Sequence, residues 1–370
     1  MNNKQNELVF NKLVSKAVTK KYIYGAVFYV SSGDKSIDLI SASGNMKKDS
    51  QYYIASINKF FISSIILRLF NDKKLDLDDK ISKYLPEDIV RALHVHKGKD
   101  YSKDITITHL MSHTSGLPCY LLDKQPNGVK AMDELEAGID QAWPIERVIQ
   151  EVKRMKTHFP PGQSDRAKYA DTNHQILNLI IEKITGKPVN IVLKKLFQEL
   201  NLIKTYVFEA TNNENFIPIR YKSKIINIPL FLSSTKNDII STAQDQMTFL
   251  KACFSGYFFP KQRLKELEKW NNIFYPFHYG IGIQKFSIPR ILSPIHPVPD
   301  MVGHCGSTGS IAFYVPDRDI YITGSVNQQA RPQVAFQTII KIINKLKAVV
   351  MIFLFTFART GTIVASDGTV

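Results

Sequence analysis

The stretch Phe60-Phe61-Ile62-Ser63-Ser64-Ile65-Ile66-Leu67-Arg68-Leu69-Phe70 constrains this chain more than any other. It contains no Gly and no Pro, and it is long enough for a helix. A helix that is apolar nearly all round cannot lie on a surface, so other elements have to cover it on every side. Two polar residues stand at its head. Ser56 and Lys59 are three positions apart, a spacing that puts a hydroxyl and an ammonium on one helix face. Burial disfavours the charged form of lysine, and a neutral amine can accept the proton of a neighbouring serine.

The spacing alone is weak, because it occurs three times. Ser32 and Lys35 fall in Ser31-Ser32-Gly33-Asp34-Lys35, which reads as a hairpin turn. Ser233 and Lys236 fall in a polar loop. Only Ser56 opens a buried helix, where the competing reading is an ordinary helix cap.

Two later segments add chemistry. Lys168-Tyr169-Ala170-Asp171-Thr172-Asn173 is a polar run that feeds the apolar stretch Ile176 to Ile181, stopped by Gly186 and Pro188. Gly303-His304-Cys305-Gly306-Ser307-Thr308-Gly309 is a glycine-rich strand leading into a second strand, Ile311 to Val315. Glycines in a strand permit close approach of backbone to ligand.

Together these motifs resemble the penicillin-recognising serine hydrolases: class C β-lactamases, D-alanyl-D-alanine carboxypeptidases and their esterase relatives. The resemblance rests on Ser56/Lys59, Tyr169-Ala170-Asp171 and His304-Cys305-Gly306, in the family's order. Supporting segments are His109 to Pro118, Ser241 to Asp245 and Tyr314 to Asp317, and the likeness runs from about Val27 to about Lys347. It implies catalytic roles for Ser56, Lys59 and Tyr169. It implies an oxyanion hole from the backbone N–H groups of Ser56 and Ser307, and substrate contacts from Asp171, His304, Gly306 and Ser307. Ser56 would form an acyl-enzyme while Lys59 and Tyr169 manage its proton. Free tyrosine, with a pKa near ~10, is a poor base, and a nearby lysine cation would lower that value.

Two positions depart from the family pattern. His304 stands where lysine is common in β-lactamases, and Asp171 where asparagine is common. A neutral imidazole holds a carboxylate less well than an ammonium, and an ionised Asp171 would repel an anionic substrate. Both favour an ester or amide without a carboxylate beside the scissile bond. Asp171 has the alternative of a structural role, tied to nearby N–H groups. The competing functions are a class C-like β-lactamase, a D-alanyl or D-amino-acid peptidase, and a non-catalytic scaffold on the same fold.

The implied fold is β-lactamase-like, in the α/β (α+β) class: an antiparallel sheet flanked by terminal helices, with an inserted mostly helical lobe. Residues 1–55 and 271–347 would form the sheet lobe, 56–270 the helical lobe with the nucleophile helix, and 348–370 a tail. A helix is expected over 5–18 and another over Val334–Leu346. Strands are expected at Tyr22–Val30, Ser36–Ala42, Tyr279–Phe286, Ile311–Val315 and Ile320–Val326.

The 370 residues carry a formal charge of +15, which invites a nucleic-acid reading. The basic residues are scattered, however, and no stripe alternates with aromatics, so a solvated lysine-rich surface is preferred. The expected partner is a small ester, amide or β-lactam, with no nucleic acid and no cofactor. Cys119, Cys253 and Cys305 are too few and too far apart for a disulfide framework or zinc knuckle. His109 and His113 have the spacing of a zinc pair but no Glu between them, so a structural turn is expected. His94-Val95-His96 is read as surface. The polar N-terminus lacks an apolar leader, which points to the cytoplasm. The apolar run 348–358 is shorter than the ~20 residues a membrane helix needs, leaving peripheral membrane contact as a minor reading.

Overall fold

The computed structural model describes residues 3–210, 216–292 and 297–345. The expectations for the 348–370 tail lie outside them. A single eight-stranded antiparallel sheet draws its strands from both ends of the chain. Its strands are β1 (Gly25–Ser32), β2 (Asp38–Gly44), β3 (Asn271–Phe274), β4 (Phe277–Tyr279), β5 (Gln284–Phe286), β6 (Met301–Cys305), β7 (Ser310–Val315) and β8 (Ile320–Ser325). They lie in the order β3-β4-β5-β6-β7-β8-β1-β2. The closing contact pairs Val27 with Ser325 and Val30 with Ile322.

Strand alternation explains how both faces of the sheet are covered. Ala26, Phe28 and Val30 of β1 pack with Phe313, Val315 and Ile322 beneath α1 (Asn3–Ala17) and a last helix over residues 333–345. Val27 and Ala312 face the other way, into the larger core. That core surrounds α2 (Asn58–Asn71), of whose residues eleven are buried. Phe61 stacks on Phe249 with centroids 3.6 Å apart, and Phe60 meets the same ring edge-on at 5.4 Å. The all-round apolarity of α2 is therefore met by partners on every side. A second sheet of three short strands, Tyr52–Tyr53, Ile239–Ser241 and Tyr206–Val207, leads directly into α2.

Three expectations need correction. Tyr279–Phe286 is two strands, not one. Gly282 turns the chain between β4 and β5 in a left-handed conformation (φ +74°), where a side chain would run into Ser63 and Met111. The first two strands begin two or three residues later than their sequence patterns suggest. His94 is wholly buried rather than at the surface, its Nε2–H donating to the Phe159 carbonyl at 2.9 Å. Among the described residues no helix is long and apolar enough to cross a membrane.

Candidate active site

Ser56 sits in a 3₁₀ turn, Ala55–Ile57, that runs straight into α2. Ala55 has φ +49°, a conformation a side chain with a Cβ rarely adopts. Such strain persists only where surroundings enforce it, and here the sheet does. The Thr308 hydroxyl donates to the Tyr53 carbonyl (3.0 Å) and the Ser310 hydroxyl to the Ile54 carbonyl (2.7 Å). Gly306 presses on the same backbone, and a Cβ there would run into the Ile54 carbonyl and the Ser310 hydroxyl. The glycine is required by this close approach.

Lys59 lies one turn further on and is 4% exposed. Its Nζ is 3.2 Å from Ser56 Oγ and 2.6 Å from Asp171 Oδ1. Asp171 is the first residue of α3 (Asp171–Thr185), where the helix dipole favours a carboxylate. Its other oxygen accepts from the Cys119 thiol at 3.2 Å, and its own N–H donates to the Cys119 sulfur at 3.3 Å. Burial, reinforced by Asp171, pushes the Cys119 thiol up and keeps it a donor. The charge of Asp171 is thus not free to repel a substrate, as its sequence position suggested. Lys59 neutralises it.

Tyr169 lies beside this pair, with Lys59 Nζ 5.5 Å from its ring centre. Its hydroxyl is buried without a well-formed hydrogen bond. Burial pushes its pKa well above 10, Asp171 pushes it further, and the Ser56 hydroxyl offsets only part of the rise. The lowering expected from a nearby lysine cation does not prevail: burial is the larger influence, and Asp171, paired with that cation, adds to the rise.

His113 holds the Tyr169 loop, and sequence reasoning took it only for a turn residue. The Ala170 N–H and the Asn173 side-chain amide both donate to its Nδ1, at 3.1 and 2.9 Å. Its carbonyl accepts from Lys168 N–H at 2.9 Å, and its ring lies 4.5 Å from that of Tyr169. The His109–Pro118 segment was visible as a motif, but nothing in one sequence tells which loop it grips. Cys119, Thr308 and Ser310 were missed for the same reason.

His304 and Gly306 are buried and Ser307 is exposed. The His304 Nδ1–H donates to the Cys305 carbonyl (2.8 Å), and its Nε2 accepts from Tyr279 (3.1 Å). Burial first, and Lys59 second, push its pKa down to about 3, so the ring is neutral. Both nitrogens are spent inside the protein. The Ser307 N–H donates to no group among the described residues. The first bond of the Ser56 turn runs from Ile57 N–H to the Ile54 carbonyl, leaving the Ser56 N–H ahead of it without an intrahelical partner. All seven residues singled out from sequence line one cavity of about 550 Å³. Among the described residues there is no cluster of acidic, His or Cys side chains that could hold a metal ion.

The Beta-lactamase family model matches residues 10–345. The chain belongs to the beta-lactamase family. Its similarity to curated members is moderate and partial. It is 27% identical to the N-acetylmuramyl-L-alanine amidase of Bacillus subtilis over 51% of this chain and 39% of that one. It is 25% identical to the esterase EstB of Burkholderia gladioli over 46% of this chain and 42% of that one. The matches therefore span about two fifths of these relatives' own lengths. The fold match is far more extensive. A D-stereospecific amidohydrolase from Streptomyces sp. superposes with a TM-score of 0.71 at 24% identity, covering 90% of this chain and 97% of that one.

Proposed function

We propose that this protein is a serine hydrolase that cleaves small carboxylic esters or amides through an acyl-enzyme on Ser56. The observation that carries the reading is the contact line from Ser56 through the buried Lys59 to Asp171, at 3.2 and 2.6 Å, opening on the cavity. Ser56 Oγ bonds to the carbonyl carbon as the C=O electron pair moves onto oxygen. The Ser56 and Ser307 N–H groups receive that oxyanion. The serine proton passes to Lys59, which hands one of its own to Asp171, so the ion pair accepts it as a unit. Tyr169, held protonated, offers a hydrogen bond beside the reacting oxygen. Collapse breaks the C–O or C–N bond, and the proton returns through Lys59 to the leaving group. Water then repeats the sequence and releases the acid.

The cavity favours substrates without a carboxylate near the scissile bond. Among the described residues lining it, Lys59 is the one lysine or arginine, and it is already paired. His304, the alternative recognition group, has no donor left. The partner is accordingly a small ester or amide. The cavity draws on both parts of the chain, which is consistent with a sheet lobe of 1–55 and 271–347 and a helical lobe of 56–270.

The test pairs a serine-reactive phosphonate with a substrate panel of nitrophenyl esters, aryl amides, D-alanyl peptides and a cephalosporin. One label on Ser56 and turnover of esters or amides are expected. Absence of labelling refutes the hydrolase reading, and faster cephalosporin turnover replaces it with a β-lactamase.

A further inference from the structure

The cavity that holds Ser56 has an apolar arm that the hydrolase reading leaves unused. Phe277 and Phe286 stand opposite each other on β4 and β5, 5.4 Å apart, and Phe336 of the last helix stacks on Phe286 at 4.8 Å. Ile288 and Ile340 complete a shelf that lines the same cavity as the nucleophile. Phe277, Ile288, Phe336 and Ile340 are only half-buried. Large apolar side chains left partly open inside a cavity are unusual unless something apolar covers them.

We infer that this shelf binds the acyl part of the substrate, and that the acyl part is an extended alkyl or arylalkyl group. The inference rests on the Ser56 acyl-enzyme reading. Orientation follows from proton delivery. The leaving group has to reach the Lys59–Asp171 pair and Tyr169, all on helical elements or the loop before α3. The other substituent of the carbonyl carbon then runs toward the sheet side, where β4, β5 and the last helix carry the shelf. The cavity volume of about 550 Å³ leaves room for such a group beyond the reacting carbonyl.

Two measurements test this. Nitrophenyl esters from acetate to decanoate should show kcat/KM rising about fourfold per added methylene until the arm is full. Ile340→Trp, which narrows the arm, should lower the octanoate-to-acetate ratio at least tenfold. Ser56→Ala protein should bind methyl alkyl ketones, followed by calorimetry, with affinity rising by a similar factor per methylene. A flat or falling ester series, with acetate still hydrolysed, overturns the acyl shelf and leaves the hydrolase intact. A rise that follows the alcohol chain rather than the acyl chain also overturns it. If no ester is cleaved, the hydrolase reading fails, and the ketone series alone decides the shelf: rising affinity upholds an apolar binding arm and flat affinity removes it.

Discussion

The head of α2 and the β1–β2 hairpin carry the same serine–lysine spacing, and they have nothing else in common. In the hairpin, the Ser32 hydroxyl donates to Asp34 and accepts from Ile37 N–H, tying a surface turn together. Lys35 is exposed and takes the left-handed conformation of the turn (φ +59°). At the head of α2, the lysine is buried, aimed at its serine and matched by a carboxylate from another helix. The third instance, Ser233, lies in a short helix, Pro229–Ser234, rather than the expected polar loop; its hydroxyl donates to the Pro229 carbonyl within that helix while Lys236 is exposed. Spacing places two groups on one face. Burial and a third residue from far along the chain join those groups into the contact line on which the proposed chemistry rests.

The largest effect that could break this contrast is loss of the proposed nucleophile. Ser56→Ala should abolish phosphonate labelling and lower kcat by about 10⁴-fold or more, whereas Ser32→Ala and Ser233→Ala should retain both. A label that survives in Ser56→Ala moves the reaction elsewhere. Next come the members of the ion pair. Lys59→Ala and Asp171→Asn should each lower kcat/KM by roughly 10²–10⁴-fold, with the double variant little worse, because the two act as one acceptor. Additive losses would show that they work separately. Lys59→Ala should also cost about 3 kcal/mol of stability in denaturant titrations, since it leaves a largely enclosed carboxylate without its partner. The exposed Lys35→Ala should stay within about 0.5 kcal/mol.

A smaller effect sharpens the role of the Tyr169 loop. His113→Ala should lower kcat by about ten- to a hundredfold with little change in KM, because it displaces a group beside the reacting atoms rather than one that binds substrate. An equal rise in KM would make His113 a binding residue instead. Smaller again is the acid response of the buried histidines. Burial holds His113 and His174 well below their ordinary range and His304 at about 3. The unfolded chain therefore takes up protons first. Stability is full above about pH 6.5 and falls as the pH drops from there toward 3, by about 1.4 kcal/mol per pH unit for each histidine still neutral in the fold. Unfolding midpoints that do not move between pH 7 and 5 would contradict the burial of these rings.

Much of the scaffold could be read from the sequence because its signals are local. The apolar run after Lys59, the strand-favouring stretches that become β7 and β8 and the stop at Gly186 each speak for their own segment. What could not be read depends on pairing across distance. Asp171 could be read either as a repulsive charge or as a structural group tied to nearby N–H groups, because its partner, Lys59, lies 112 positions away in sequence. Tyr169 looked like a phenol activated by a cation, but burial first and the same carboxylate second drive its pKa the other way. His304 looked like a substrate ligand, and only the positions of Tyr279 and the Cys305 carbonyl reveal that both its nitrogens are occupied. The strand boundaries near Gly282 failed for a packing reason, the contact with Ser63 and Met111.

The braces on the Ser56 turn have a consequence in time. Thr308 and Ser310 reach back 255 and 256 residues to hold Tyr53 and Ile54. A ribosome adding about 5–20 residues per second releases Ser56 on the order of ten to fifty seconds before those hydroxyls exist. Through that interval the strained turn has nothing to enforce it, and β1 lacks its partner β8. The reactivity proposed for Ser56 would therefore be among the last properties the growing chain acquires, arriving with closure of the sheet rather than with synthesis of the serine.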